Sequence, residues 1–340
     1  MNNRIRFSGN IVDIIKAIIF PGTVVVNGDK IEKIIPEPDK TYPHFIMPGF
    51  IDAHIHIESS MLVPSEFAKA AVRHGTVATV SDPHEIANVL GIKGIEFMIE
   101  NGRKSGFEFC FGAPSCVPAT DFETSGAGIT AADIETLFER YHLKYLSEVM
   151  NFPGVLNGFP DVMEKIRVAK RYNAVIDGHA PMLTGSDLQT YIDAGISTDH
   201  ETVSYKEGLE KIEKGMTLQI REGSAAKDLD LLMPLMEKYP DACMLCSDDK
   251  HPDDLVKGHI NLLVEKAIRS GIDTFKVLRS ASLNAVKHYG LNVGLLRAND
   301  PADFIMVENL EHLNVLQTVI KGETVFKEKS VFLPDVEFSA

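Results

Sequence analysis

Residues 45–56 read FIMPGFIDAHIH, a β-rich run that ends in two histidines. From this run to about residue 270, short β-rich segments alternate with helical patterns, which is typical of parallel strands joined by helical crossovers. The β-rich segments are 45–56, 76–82, 106–113, 145–150, 174–180, 196–201, 216–224 and 242–249. The helical patterns are 65–74, 92–104, 130–140, 161–172, 186–194, 205–214, 229–238 and 255–270. Eight such units predict an α/β fold, a TIM (β/α)8 barrel.

The two ends of the chain carry further β-rich segments. Residues 23–31 read TVVVNGDKI, in which β-branched residues flank an Asn-Gly pair, the strongest short signal for a β-hairpin. Residues 303–307 and 315–326 predict return strands with a turn at Lys321-Gly322-Glu323. We expect both ends to pair in one small β-sandwich-like domain of residues 1–45 and 295–340, beside a barrel of residues 46–294.

Composition and charge narrow the class of protein. The 340 residues include 34 Lys plus Arg and 48 Asp plus Glu, a formal charge of −14, which argues against a nucleic-acid partner. No apolar run approaches the ~18 residues that a membrane helix needs, and no signal peptide is visible. Four cysteines without a closely spaced framework fit a reducing compartment. We therefore expect a cytoplasmic protein with a small-molecule substrate and no membrane partner, assembled as a homo-oligomer.

Side chains that can bind a metal ion accumulate where the predicted barrel strands end, which is where barrels of this type place their sites. The alternation of side chains along a strand puts His54 and His56 on one face. A lone histidine at such a place is more often a solvated or core residue, but a coincidence at this many strand ends is improbable. The residues are His54, His56, Asp82, His84, Glu85, Glu148, His179, His200, Glu201, Arg221, Glu222, Asp248 and Asp249. Four of these histidines with two carboxylates form a nitrogen and oxygen donor set that suits Mn²⁺, Fe²⁺ or Zn²⁺, and two ions can share it.

Several motifs resemble a known family. Residues 48–56, PGFIDAHIH, resemble the first-strand signature of the metal-dependent amidohydrolase superfamily. More specific stretches are ESS at 58–60, SDPHE at 81–85, EVMNFPGV at 148–155, DGHAP at 177–181, IREGSAA at 220–226 and CSDD at 246–249. Together they resemble the adenine deaminases of bacteria and archaea, from Pro48 to about Gly290. That family usually continues into a further C-terminal domain, so the resemblance implies a short form.

The resemblance implies two divalent metal ions, Mn²⁺ or Fe²⁺ in preference to Zn²⁺. His54 and His56 would bind one ion together with Asp248, and His179 and His200 would bind the other. Glu148 would bridge them, where many members of the superfamily use a carboxylated lysine. Asp82 and His84 would lie close to the metals.

The implied reaction is hydrolysis of adenine to hypoxanthine and ammonia, with hydroxide bound at a binuclear site as nucleophile. Asp248 would move the proton to the leaving amino group. A carboxyl group is also needed at the purine ring N1, and Glu58, Glu201 and Glu222 are equal candidates. Arg221 would either orient the purine or pair with Glu222.

Two other functions stay open from sequence. The same site could hydrolyse another cyclic amide or an N-acyl substrate, because attack by an activated water is common to all of these reactions. An inactive barrel that serves as a scaffold is the weaker alternative, since all six expected ligand positions are filled.

Two further patterns are interpreted as structural. His56-Ile57-Glu58 with Cys243-Met244-Leu245-Cys246 imitates the zinc motif of cytidine-type deaminases, but residues three apart on a strand point to opposite faces. We expect these cysteines to lie in the core. Asp249, Asp253 and Asp254 are interpreted as a solvated loop.

Overall fold

The computed structural model describes residues 4–120 and 122–337. Its strands, in chain order, are β1 (Arg4–Asp13), β2 (Ile18–Asn27), β3 (Lys30–Pro36), β4 (Phe45–Pro48), β5 (Phe50–His56), β6 (Thr76–Ser81), β7 (Glu108–Phe111), β8 (Tyr145–Val149), β9 (Val175–Gly178), β10 (Thr198–Asp199), β11 (Thr217–Arg221), β12 (Cys243–Cys246), β13 (Asp248–Asp249), β14 (Phe304–Val307), β15 (Val315–Ile320), β16 (Glu323–Lys327) and β17 (Ser330–Val331). The α-helices are α1 (Pro64–Ala71), α2 (His84–Leu90), α3 (Ile92–Lys104), α4 (Ala131–Tyr141), α5 (Phe152–Leu156), α6 (Pro160–Arg171), α7 (Gly185–Asp193), α8 (Tyr205–Glu213), α9 (Leu229–Lys238), α10 (Pro252–Leu255), α11 (Ile260–Arg269), α12 (Thr274–Ser280) and α13 (Leu283–Tyr289). None of the helices in the described ranges has the length and apolar character needed to span a bilayer.

The TIM barrel predicted from the alternating segments is confirmed. Parallel pairing joins β5 to β6, β6 to β7, β8 to β9, β10 to β11 and β11 to β12. A parallel bridge from Ala113 to Leu146 links β7 to β8, and the Ser197 amide donates to the Ile176 carbonyl between β9 and β10. The ring closes where β13 pairs with β5, Asp248 opposite Ile55 and Asp249 opposite His56. The carboxyl ends of all eight strands therefore meet at one mouth.

The predicted strand over residues 45–56 is in fact two strands that serve different sheets. β4 pairs with β1 and β14 in the terminal sheet, whereas β5 belongs to the barrel. The break falls at Gly49, where a Cβ atom would lie 2.3 Å from Val77 Cγ1. Only glycine lets the chain pass this close to the next barrel strand.

Both ends of the chain contribute to one eight-stranded sheet, in the order β17-β16-β15-β14-β4-β1-β2-β3. The sheet curls so that its β3 edge approaches the segment just before β14. There the Ile31 amide donates to the Asp300 carbonyl. The hairpin is present, but its turn consists of Gly28 and Asp29, one residue later than predicted, with Gly28 in the left-handed region at φ 64°. The division into two domains stays a prediction, and β4 extends the terminal sheet to Pro48.

Candidate active site

The six residues expected to bind metal meet at the mouth of the barrel. β5 carries His54 and His56, and β8 carries Glu148 near its end. His179 and His200 directly follow β9 and β10, and Asp248 begins β13. All of them are buried except His179, whose side chain is 27% exposed. Because the strands are parallel neighbours in a closed ring, residues far apart in sequence are brought within a few ångströms.

Glu148 lies at the centre of the cluster. Its Oε1 atom is 3.2 Å from His56 Nε2 and 4.0 Å from His54 Nε2. Its Oε2 atom is 2.5 Å from His179 Nδ1 and 3.2 Å from His200 Nε2. One carboxylate thus contacts both histidine pairs, one pair through each oxygen.

Asp248 approaches the first histidine pair from the last strand. Its Oδ1 atom is 3.3 Å from His56 Nε2 and 3.6 Å from His54 Nε2, while Oδ2 accepts from Arg221 Nη1 at 3.0 Å. The predicted eighth strand is interrupted just before it, at Ser247, and Asp248 has a left-handed φ of 55°. Such strain in a residue other than glycine persists only where surrounding contacts impose it, and it concentrates at functional sites.

Asp82 and His84 also reach the cluster. His84 Nδ1 is 3.2 Å from Asp82 Oδ2 and 3.5 Å from Glu148 Oε1. The backbone carbonyl of Asp82 accepts from His56 Nδ1 at 3.1 Å, which fixes the ring and leaves His56 Nε2 free to bind a ligand. Asp82 and His84 thus each have a donor atom within 4.8 Å of a Glu148 oxygen.

The electrostatics keep the carboxylates charged. Burial alone would raise the pKa of Glu148, but His200, His179 and His56 around it hold that pKa well below its usual value. Burial likewise opposes ionisation of Asp248, and the bonds from His54 and His56 lower its pKa nonetheless. Burial and the neighbouring His200 lower the pKa of His54. Against the effect of burial, Glu148 raises the pKa of His200 to about 9, so a metal ion would have to displace a proton from that ring to bind it.

The donor set fits divalent metal ions. Four overlapping groups of donor atoms each lie within 4.8 Å of one another: His54, His56 and Asp248; His54, Glu148 and His200; His179, His200 and Glu201; and His56, Asp82, His84 and Glu148. A buried carboxylate oxygen, Asp82 Oδ1, has no hydrogen-bond partner among the described residues. Imidazole and carboxylate donors without thiolate suit Mn²⁺, Fe²⁺ and Zn²⁺.

Arg221 forms a buried ion-pair network, but not with Glu222. Its guanidinium binds both Glu201 oxygens, donates from Nε to Asp228 Oδ2 at 2.8 Å, and contacts Asp248. Of the two alternatives for Arg221, the pairing with Glu222 is not found, because Glu222 binds Lys266 at 2.7 Å and the Leu229 amide. The sequence gives no signal for Asp228 as a partner, because the six residues between it and Arg221 have no periodic pattern.

The acidic run after Asp248 is not a loop. Asp249 belongs to β13, and its Oδ1 accepts from Ser59 Oγ at 2.5 Å. Asp254 binds Lys257 at 2.9 Å and Ser224 Oγ at 2.7 Å, and it lies with Asp253 in α10, so the expected loop is wrong for all three residues. Asp253 is exposed, as expected. Cys243 and Cys246 are fully buried free cysteines, which confirms the expectation that they lie in the core.

A buried lysine supports the two histidines of the second pair. Lys211 Nζ, in α8, donates to Asp199 Oδ2 at 2.9 Å and to the Ala180 carbonyl at 2.8 Å. These acceptors adjoin His200 and His179. In sequence, Glu207 and Lys211 look like an ordinary surface pair at i,i+4, so nothing there distinguishes this lysine.

A TIM barrel with four histidines and two carboxylates clustered at its mouth is typical of metal-dependent hydrolases. The model of the amidohydrolase family matches residues 45–325, and the chain belongs to that family. It is 58% identical over 333 residues to the adenine deaminase of Sulfurovum sp. (strain NBC37-1), covering 97% of this chain and 62% of the relative. It is 54% identical to the adenine deaminase of Salinibacter ruber, covering 97% of this chain and 60% of the relative. The chain thus spans about three fifths of the length of these relatives.

Solved structures support the fold. The β-aspartyl dipeptidase of Fervidobacterium islandicum AW-1 superposes with a TM-score of 0.70 at 16% identity, covering 97% of this chain and 98% of that one. The N-acetyl-D-glucosamine-6-phosphate deacetylase of Mycobacterium smegmatis gives 0.70 at 14% identity, covering 95% and 100%. At these identities the likeness concerns the architecture alone.

Proposed function

We propose that this chain catalyses the hydrolytic deamination of adenine to hypoxanthine and ammonia. The observation that carries the proposal is the central position of Glu148, whose two oxygens contact the two histidine pairs. A glutamate at this position, where many members of the superfamily use a carboxylated lysine, is one of the features by which the sequence resembles adenine deaminases. Relatives at 58% and 54% identity bear that name, which supports the choice of substrate.

His54, His56 and Asp248 would hold one divalent ion, His179 and His200 would hold another, and Glu148 would lie between them. Bound divalent ions lower the pKa of a water ligand towards neutrality and so supply a nucleophile. Mn²⁺ or Fe²⁺ is the expected metal.

Asp248 is the proton carrier in this proposal. Adenine and water give hypoxanthine and ammonia, so one proton must pass from water to the amino nitrogen as the C6–N bond breaks. Arg221, fixed by Glu201 and Asp228, holds Oδ2 of Asp248, which leaves Oδ1 directed at His54 and His56. A carboxylate oriented in this way can accept the proton and deliver it.

Of the three candidates for purine N1, Glu58 is the one whose carboxyl group has an oxygen without a partner among the described residues. Glu201 is bound through both oxygens by Arg221, and Glu222 is bound by Lys266. Glu58 Oε1 accepts from the Ile86 amide at 3.1 Å, but its buried Oε2 has no partner among the described residues. Adenine N1 is a hydrogen-bond acceptor, so Glu58 would have to donate to it from its protonated form. Burial raises the pKa of Glu58 to about 7, which makes that form available near neutral pH. Hypoxanthine carries a hydrogen on N1, so the second proton of water would end there.

The test is ammonia release by the metal-loaded chain, with metal content measured on the same sample. We expect release from adenine, and no hydrolysis of hydantoin, dihydroorotate or N-acetylglucosamine. Hydrolysis of one of those compounds with adenine untouched would contradict the proposal. Less than one equivalent of metal after loading with Mn²⁺ or Fe²⁺, together with inactivity on all four compounds, would favour the scaffold instead.

A further inference from the structure

A second polar cleft lies between the loops that follow the seventh and eighth barrel strands, β11 and β12–β13. Its volume is about 180 Å³, and its polar lining consists of Lys227, Lys250, Lys257, Lys266, Glu222 and Asp254. The metal cluster described above uses none of these six side chains.

Both carboxylates in the cleft are already satisfied. Glu222 is bound by Lys266 at 2.7 Å and by the Leu229 amide at 3.3 Å. Asp254 is bound by Lys257 at 2.9 Å and by Ser224 at 2.7 Å. Lys266 also pairs with the exposed Asp230 outside the cleft lining. These contacts account for two of the four ammonium groups.

The other two lysines, Lys227 and Lys250, have no side-chain hydrogen bond or ion pair within residues 4–120 and 122–337. Lys227 is exposed, but Lys250 is only 5% exposed and lines the cleft. The stem of Lys250 is buried, but its Nζ atom keeps access to solvent, so an anion in the cleft can reach it. Lys257 and Lys266 are each paired with two carboxylates, so Lys227 and Lys250 are the ammonium groups of this lining that an anion in the cleft could still bind.

We propose that this cleft binds a small dianion, either inorganic phosphate or a phosphate monoester. Lysine is a common point-charge partner of phosphate, and the two lysines without an ion pair, Lys227 and Lys250, line the same cleft. The location agrees with this assignment, because loops after the seventh and eighth strands of TIM barrels frequently form phosphate sites. The proposal is independent of the deaminase activity.

The test is calorimetric titration of the metal-loaded chain with inorganic phosphate, sulfate and ribose 5-phosphate at fixed ionic strength. We expect saturable binding that Lys250→Met weakens by about tenfold or more, as the loss of a charge-assisted hydrogen bond would do. Lys227→Met should weaken it about threefold, since this ammonium is exposed. Lys104→Met removes an exposed lysine on α3 and should change nothing.

The outcomes separate this cleft from the metal centre, which can also bind phosphate. Binding that is the same in Lys250→Met and Lys227→Met as in the wild type would belong to the metals and would overturn the proposal. Absence of saturable binding in the wild type would overturn it as well. If ribose 5-phosphate binds as tightly as inorganic phosphate, the ligand is a phosphate monoester. If only inorganic phosphate binds, the ligand is the free ion. Either result supports an anion site in this cleft. If Lys250→Met does not fold, the phosphate affinity of Lys227→Met is compared with that of Lys104→Met, and equal affinities would overturn the proposal.

Discussion

Lys211 and Asp199 form an ion pair at 2.9 Å in which both side chains are completely buried. Asp199 Oδ1 also accepts from the Ala180 amide at 2.7 Å, and Lys211 donates to the carbonyl of the same residue. The pair therefore ties the loop that carries His179 to the strand end that carries His200. A charge pair this deep contributes less to stability than to holding two segments in one arrangement.

Lys211→Met should destabilise the chain and weaken metal binding. Removing the lysine leaves the buried charges of Asp199 and Glu207 without a cation, at a cost of about 3–5 kcal/mol in the free energy of unfolding. Urea denaturation and metal content per chain measure the two effects. Lys206→Met, on the exposed side of the same helix, is the matched control. Equal stability and equal metal content in the two variants would show that the buried pair has no such role.

The barrel and the strand ends were predictable, because both depend on local patterns. Alternating β-rich and helical segments indicate crossovers, and the period-2 strand places His54 beside His56. The ion-pair partners were not predictable. Arg221 binds Glu201 and Asp228 rather than its neighbour Glu222, and this choice depends on which loops face each other across the mouth. The split at Gly49 and the left-handed Asp248 likewise reflect close approach of strands distant in sequence.

Glu148→Gln should reduce the metal content from two equivalents while the barrel stays folded. The amide keeps the size of the side chain, but it carries no charge and offers one acceptor oxygen instead of two. Elemental analysis after loading with Mn²⁺ gives the metal content, and circular dichroism reports the fold. Glu108→Gln on the neighbouring strand β7, where the carboxylate binds Lys321, is the control. Two equivalents of metal retained in Glu148→Gln would argue against a bridging role.

His288 should make the protein less stable as the pH falls. Burial lowers the pKa of His288 to about 4, against an ordinary value of 6.5. Above pH 6.5 the ring is neutral in both the folded and the unfolded chain, so it has no effect there. Between pH 6.5 and 4 the unfolded chain takes up a proton that the folded chain does not, and stability is lost. From pH 6.5 to 5 this loss is at most about 2 kcal/mol.

His288→Gln should remove this part of the pH dependence. The free energy of unfolding, measured by urea denaturation at pH 7, 6 and 5, should fall less steeply in the variant than in the wild type. The exposed His312→Gln should leave the slope as it is in the wild type. If His288→Gln has the wild-type slope, the acid sensitivity comes from other groups.

Asp248→Asn tests the proton carrier of the proposed reaction. Asparagine keeps the size and one ligand oxygen, and it is among the residues that best tolerate the left-handed backbone found here. A loss of activity would therefore report chemistry rather than misfolding. General acid–base contributions are typically 10²–10⁴-fold, so kcat for ammonia release from adenine should fall by at least about two orders of magnitude. Asp249→Asn is the control and should be far milder, because the adjacent carboxylate is bound by Ser59 and belongs to none of the donor groups. At matched metal occupancy, a larger loss in Asp249→Asn would move the role to that residue, and no loss in either variant would show that Asp248 carries no proton.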